Sequence, residues 1–105
     1  MIPQQAIQQA VARIVDAAQP SKVILFGSYA RGDATEDSDL DLMVVEPEVP
    51  DRAAEMIRLR RAVGRVGVGV DVLVYSSREF DERKDWLSNV VYWAAREGKV
   101  LYEKR

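Results

Sequence analysis

The chain has 105 residues, a formal net charge of -2, and neither cysteine nor histidine. One domain of ordinary size is expected. Disulfide, His-ligated zinc and Ser-His-Asp chemistries are excluded, leaving carboxylates, hydroxyls, Lys, Arg and hard metal ions.

Nothing in the charge balance favours general nucleic-acid binding. No apolar run approaches the ~18 residues of a membrane span. The stretch Met1-Ile2-Pro3-Gln4-Gln5 lacks signal-peptide character. A soluble protein of the reducing cytoplasm is therefore expected.

In chain order, residues 4–18 read as a helix, with Ile7, Val11, Ile14 and Val15 at helical spacing. Pro20 and Ser21 end it. Residues 22–26 are a strand-length β-branched and aromatic run, stopped at Gly27. Residues 32–38 are polar, a loop or one helical turn, and residues 40–45 form a second strand broken at Pro47 and Pro50.

Asp51 is a good N-cap for a helix over about 52–65. Its apolar positions are Ala54, Ile57, Ala62 and Val63, with Arg58, Arg60, Arg61 and Arg65 outward. Residues 68–75 are the most hydrophobic strand, which reads as a central one. A final helix is expected over about 84–97. Trp86, Leu87, Val90, Val91, Trp93 and Ala94 form its apolar face, and Gly98 its C′ residue. Both tryptophans are expected in the core, the alternative being a partner-binding surface. Residues 99–102 suit a short edge strand. The order implies an α/β domain with a small sheet and helices packed on it.

Chemistry concentrates between Gly27 and Asp41. Asp39 and Asp41 are two apart, so on a strand they share a face while Leu40, Leu42 and Val44 face the core. Two such carboxylates at ~4 Å repel by about 4 kcal/mol at an effective dielectric of ~20, and a bound cation reverses the sign. The bland reading is a solvated strand face, although Asp is depleted in strands. Asp71 interrupts an apolar strand and needs a partner. Beside the 40–45 strand it would complete a three-carboxylate cluster; otherwise it caps a strand edge.

Gly27 allows close backbone approach, and Ser28 with neighbouring amides can bond phosphate oxygens. Taken alone, Gly-Ser is only a turn. Arg31 suits a triphosphate or departing pyrophosphate, or is simply a surface arginine. An EF-hand is improbable because Leu42 stands where glycine is required. No Gly-Lys-Ser/Thr P-loop is present, and Gly64-x-x-Gly67-x-Gly69 precedes a strand, which is the wrong order for a dinucleotide fingerprint.

The run Gly27-Ser28-Tyr29-Ala30-Arg31-Gly32-Asp33, followed by Ser38-Asp39-Leu40-Asp41-Leu42, resembles the signature of the polymerase-beta-type nucleotidyltransferase superfamily. The chain's size is similar to that of its minimal nucleotidyltransferases. The resemblance extends to Asp71 in Val-Asp-Val-Leu and to the terminal Gly-Lys-Val-Leu-Tyr-Glu. It implies a mixed sheet with flanking helices. Asp39 and Asp41 would hold two Mg²⁺ ions, Mn²⁺ being able to replace them. Asp71 would share one metal and help activate the attacking hydroxyl. Gly27 and Ser28 would hold the β- and γ-phosphates of ATP, with Arg31 and Ser38 as further nucleotide contacts.

Minimal members are commonly paired with a helical HEPN ribonuclease toxin, and act as antitoxins by adenylylating a toxin tyrosine or by binding alone. The resemblance therefore implies AMP transfer to a HEPN partner. A small-molecule acceptor and binding without catalysis are the alternatives, and a homodimer is left open.

Overall fold

Residues 1–104 are described by a computed structural model. Helix α1 (Gln4–Ala18) and strand β1 (Lys22–Phe26) keep the expected bounds. A one-turn helix, α2 (Ser28–Arg31), follows Gly27. Strand β2 (Leu40–Glu46), helix α3 (Arg52–Val63), strand β3 (Val70–Ser76), helices α4 (Ser77–Arg83) and α5 (Val90–Glu97), and strand β4 (Lys99–Glu103) complete the chain. Among the described residues no helix is long and apolar enough to cross a membrane.

The four strands form one mixed sheet in the order β3-β2-β1-β4. β1 is antiparallel to β2 and β4, and β2 is parallel to β3, with α3 as the crossover. Strand alternation splits the core into two layers. Val23, Leu25, Leu40, Leu42, Val44, Val70, Val72 and Val74 pack beneath α1 and α3. Ile24, Met43 and Val45 pack beneath Phe80 of α4 and Val91 and Ala94 of α5. Each fully buried aliphatic side chain stabilises by roughly 1.5–3 kcal/mol.

Five expectations need correction. The 68–75 run is an edge strand, not a central one: β2 and β1 fill the middle. It starts at Val70, two residues later than expected, and Val70, Val72 and Val74 are buried under α3 while Asp71 faces solvent. Helix α3 has its expected N-cap, Asp51, accepting from the Ala54 amide at 3.1 Å. It buries Leu59 and Val63, however, and leaves Ile57 54% exposed. It stops at Val63 because Gly64 adopts φ 69, and the Arg13 guanidinium of α1 donates to the Val63 carbonyl at 2.7 Å.

The single helix expected at 84–97 is two helices. Ser76 and Glu79 form a reciprocal capping box that starts α4 earlier, and Asn89 caps α5. Residues between them turn, so Trp86 and Leu87 are 53% and 63% exposed, and Trp93 on the outer face of α5 is 47% exposed. The tryptophans are not core. Finally, Gly98 has φ -75 and is not a left-handed C′ residue. It is needed for close packing: a Cβ would stand 2.6 Å from Ile24 Cγ2 and 2.9 Å from the Leu25 carbonyl oxygen.

Candidate active site

The carboxylates gather where β1 ends and β2 and β3 begin. Asp41 is the second residue of β2 and Asp71 the second of β3, and they are register partners in the parallel pair. Neighbouring strands lie about 4.8 Å apart, so the two side chains stand beside each other on the face that carries Met43 and Val45. On its other side Asp41 is opposite Phe26, the last residue of β1.

The turn after Phe26 is shaped by Gly27, at φ 74 and ψ -156, a region essentially reserved for glycine. A side chain there would also collide with the Asp41 Oδ2 atom. The Asp41 carboxylate thus lies directly against the turn backbone, and Ser28 follows as the first residue of α2. The first amides of a helix have no carbonyl in a preceding turn to bond. Asp39 is exposed on the approach to β2, and its carboxylate lies against Gly69, where a Cβ would collide with Oδ1. Asp41 therefore leans towards the exit of β1 and Asp39 towards the entry of β3. Among the described residues no group of three or more acidic side chains forms a ready-made metal cluster.

The electrostatics match this crowding. Burial pushes the Asp41 carboxyl up to about 6, the charges of Asp71 and Asp39 and a hydrogen bond with Asp71 add to the rise, and the Arg31 cation opposes it. Arg31 is thus close enough to be felt, although its guanidinium pairs with Asp33 at 3.4 Å and is 47% exposed. The Ser38 hydroxyl accepts from the Thr35 amide at 2.8 Å and so closes its own loop. A second carboxyl is shifted elsewhere: burial, then Glu55, pushes Glu46 up to about 7 at the opposite end of β2. A shifted carboxyl alone does not mark the site; the pairing across β2 and β3 distinguishes it.

All the donors are carboxylate oxygens whose mutual repulsion a hard divalent cation would relieve, so the residues suit Mg²⁺ or Mn²⁺. The carboxylates open onto a groove of about 380 Å³, walled by Phe26, Leu73, Ile57 and Arg60. The spacing of the aspartates is visible in sequence, and so is a glycine two residues before Asp71. The groove wall is not, because it forms only when α3 folds beside the free edge of β3.

The nucleotidyltransferase domain family model matches residues 7–97. A proposed protein adenylyltransferase of Methanocaldococcus jannaschii is 37% identical over 83 residues, which cover 77% of this chain and 77% of that protein. The protein adenylyltransferase MntA of Thermococcus cleftensis is 39% identical over 69 residues, covering 65% of this chain and 69% of that protein. A proposed nucleotidyltransferase of Sulfolobus solfataricus has the same fold, with a TM-score of 0.67 at 19% identity over 95% of this chain and 79% of that one. So does a chain of a toxin–antitoxin crystal structure with AMP-PNP, with a TM-score of 0.58 at 21% identity over 93% of this chain and 74% of that one.

Proposed function

This chain belongs to the nucleotidyltransferase domain family, and we propose that it transfers AMP from ATP to a tyrosine hydroxyl of a HEPN-type toxin, acting as the antitoxin. The observation that carries the reading is the register pairing of Asp41 with Asp71, against the Gly27 turn and two residues from Asp39. The names of the relatives, protein adenylyltransferases, support a protein acceptor, and a toxin–antitoxin structure among the fold neighbours supports a toxin as that protein.

In the proposed reaction the acceptor oxygen attacks the α-phosphorus of ATP. A phosphorus–oxygen bond forms to the acceptor, the bond to the β-phosphate breaks, and pyrophosphate leaves. Asp71, the most exposed partner of the register pair, takes the hydroxyl proton. The Gly27–Ser28 turn brings backbone amides and the Ser28 hydroxyl to the phosphates without a side chain in the way. Arg31, at the far end of α2, offsets the charge of the departing pyrophosphate. Asp39, Asp41 and Asp71 would hold two divalent cations, Mg²⁺ by preference, which supply neutralisation of the phosphates and an acidified acceptor hydroxyl.

Intact-mass spectrometry of the cognate HEPN protein tests this. After incubation with the enzyme, ATP and Mg²⁺, the partner should gain one or more AMP masses, on a tyrosine. An Asp39→Asn enzyme should add none. A partner neutralised at unchanged mass would contradict the reading and leave an antitoxin that works by binding.

A further inference from the structure

The groove at the carboxylates does not end there. Past Ile57 and Arg60 it continues into a second trough of about 670 Å³, bounded by the end of α3 and the loop that leads to β3. Arg60, Arg61 and Arg65 line this trough, and among the described residues no acidic side chain does. All three are exposed. Among the described residues none of them makes an ion pair, whereas Arg31, Arg52, Arg58, Arg78, Arg83 and Arg96 all do. In a chain of net charge -2, three unpaired guanidinium groups in one channel are a local exception to the general balance.

The free edge of β3 runs along the same channel. The Leu40 amide donates to the Gly69 carbonyl at 2.8 Å, so odd-numbered residues of β3 turn their backbone groups towards β2. The amides and carbonyls of Val70 and Val72 then face the open edge. The next outward carbonyl, that of Val74, is taken by the Arg52 side chain at 2.9 Å, which closes the edge at the end away from the carboxylates.

We propose that this channel is the acceptor-docking surface, and that it takes an extended, acidic segment of the acceptor protein. Acidic side chains of the segment meet Arg60, Arg61 and Arg65, its backbone lies along Val70–Val72, and its reactive hydroxyl reaches Asp71. The inference rests on the reading of this chain as a protein-modifying enzyme. A peptide is favoured over RNA because, among the described residues, the arginine-lined trough carries no aromatic side chain on which bases could stack. Its apolar floor, the exposed Ile57 with the partly buried Val66 and Val68, suits a peptide's aliphatic side chains.

The test uses three fluorescein-labelled probes: a tyrosine-containing peptide rich in Asp and Glu, the same peptide with Lys and Arg in their place, and a single-stranded RNA of matched charge. Binding to the full chain is read by anisotropy and AMP incorporation by radiolabelled ATP. The acidic peptide should bind at least ~10-fold more tightly than the basic one, a difference of about 1.4 kcal/mol, and the preference should fade as salt is raised. Arg61→Glu with Arg65→Glu should abolish the preference, and Arg61→Gln with Arg65→Gln should reduce it, with metal-dependent ATP affinity unchanged in both.

Equal binding of the two peptides, tighter binding of the RNA, or loss of ATP affinity in the arginine variants would each overturn the proposal. Binding and transfer are separate readouts. Preferential, arginine-dependent binding without AMP incorporation keeps the docking surface and counts against the transfer reading alone.

Discussion

Asp41 is the residue on which the site turns. Its carboxyl is raised to about 6 by burial first and by Asp71 and Asp39 next. A carboxyl raised in the folded state binds its proton more tightly there than in the unfolded chain. Its contribution to stability is therefore fully present below about pH 4 and is lost as pH rises through about 6. At neutral pH the metal-free protein carries the cost of the ionised, crowded group. Asp41→Asn should remove that cost, raising stability by on the order of 1 kcal/mol at pH 7.5 once solvent screening is allowed for. The gain should vanish near pH 4. Thermal melts of the metal-free protein at the two pH values check this, and a lower melting temperature for the variant at pH 7.5 would make Asp41 a structural residue. The chemistry of this residue was legible in sequence because alternation alone puts Asp39 and Asp41 on one face. The close seating of Asp41 on Gly27, and of Asp39 on Gly69, was not, since it depends on how three strand ends meet.

At the scale of elements, α3 shows where periodicity misleads. Ile57 and Leu59 are both large and aliphatic, and the arginines around them carry little directional signal. Only packing against α1 and β3 selects Leu59, fully buried, and turns Ile57 to the groove. Leu59→Ala should cost about 2–5 kcal/mol, whereas Ile57→Ala should change stability by no more than about 0.5 kcal/mol. Urea unfolding of the two variants decides it, and equal losses would contradict the assignment of the α3 core face. The same limit explains the C-terminal helices. The apolar run Trp86–Ala94 looks like one amphipathic face, but the Asn89 cap starts α5 within it, and the Ser76–Glu79 capping box starts the separate helix α4 upstream. Both caps are readable as sequence motifs, but a cap outweighs a hydrophobic run only when the core has no room for the tryptophans. Here the layer under α4 and α5 is already filled by Phe80, Val91 and Ala94.

For the molecule as a whole, one small sheet serves both stability and chemistry. Its two faces bury separate apolar layers, and at one end of its strands Asp41 and Asp71 pair across β2 and β3, with Asp39 on the approach to β2. The apolar strand runs could be read from the chain, whereas the parallel pairing that sets Asp71 beside Asp41 is one of two readings open for that residue. The order of strands could not: a near-continuous valine run suits an edge strand once a crossover helix covers one face of it. The central claim is that Asp39, Asp41 and Asp71 together admit ATP only with a divalent cation. Calorimetric titration of ATP into the protein at pH 8, with Mg²⁺ and then with excess EDTA, tests it most directly. The account predicts binding with Mg²⁺ that is lost in EDTA, and lost in Asp41→Asn under both conditions. Equal affinity with and without the metal would contradict it.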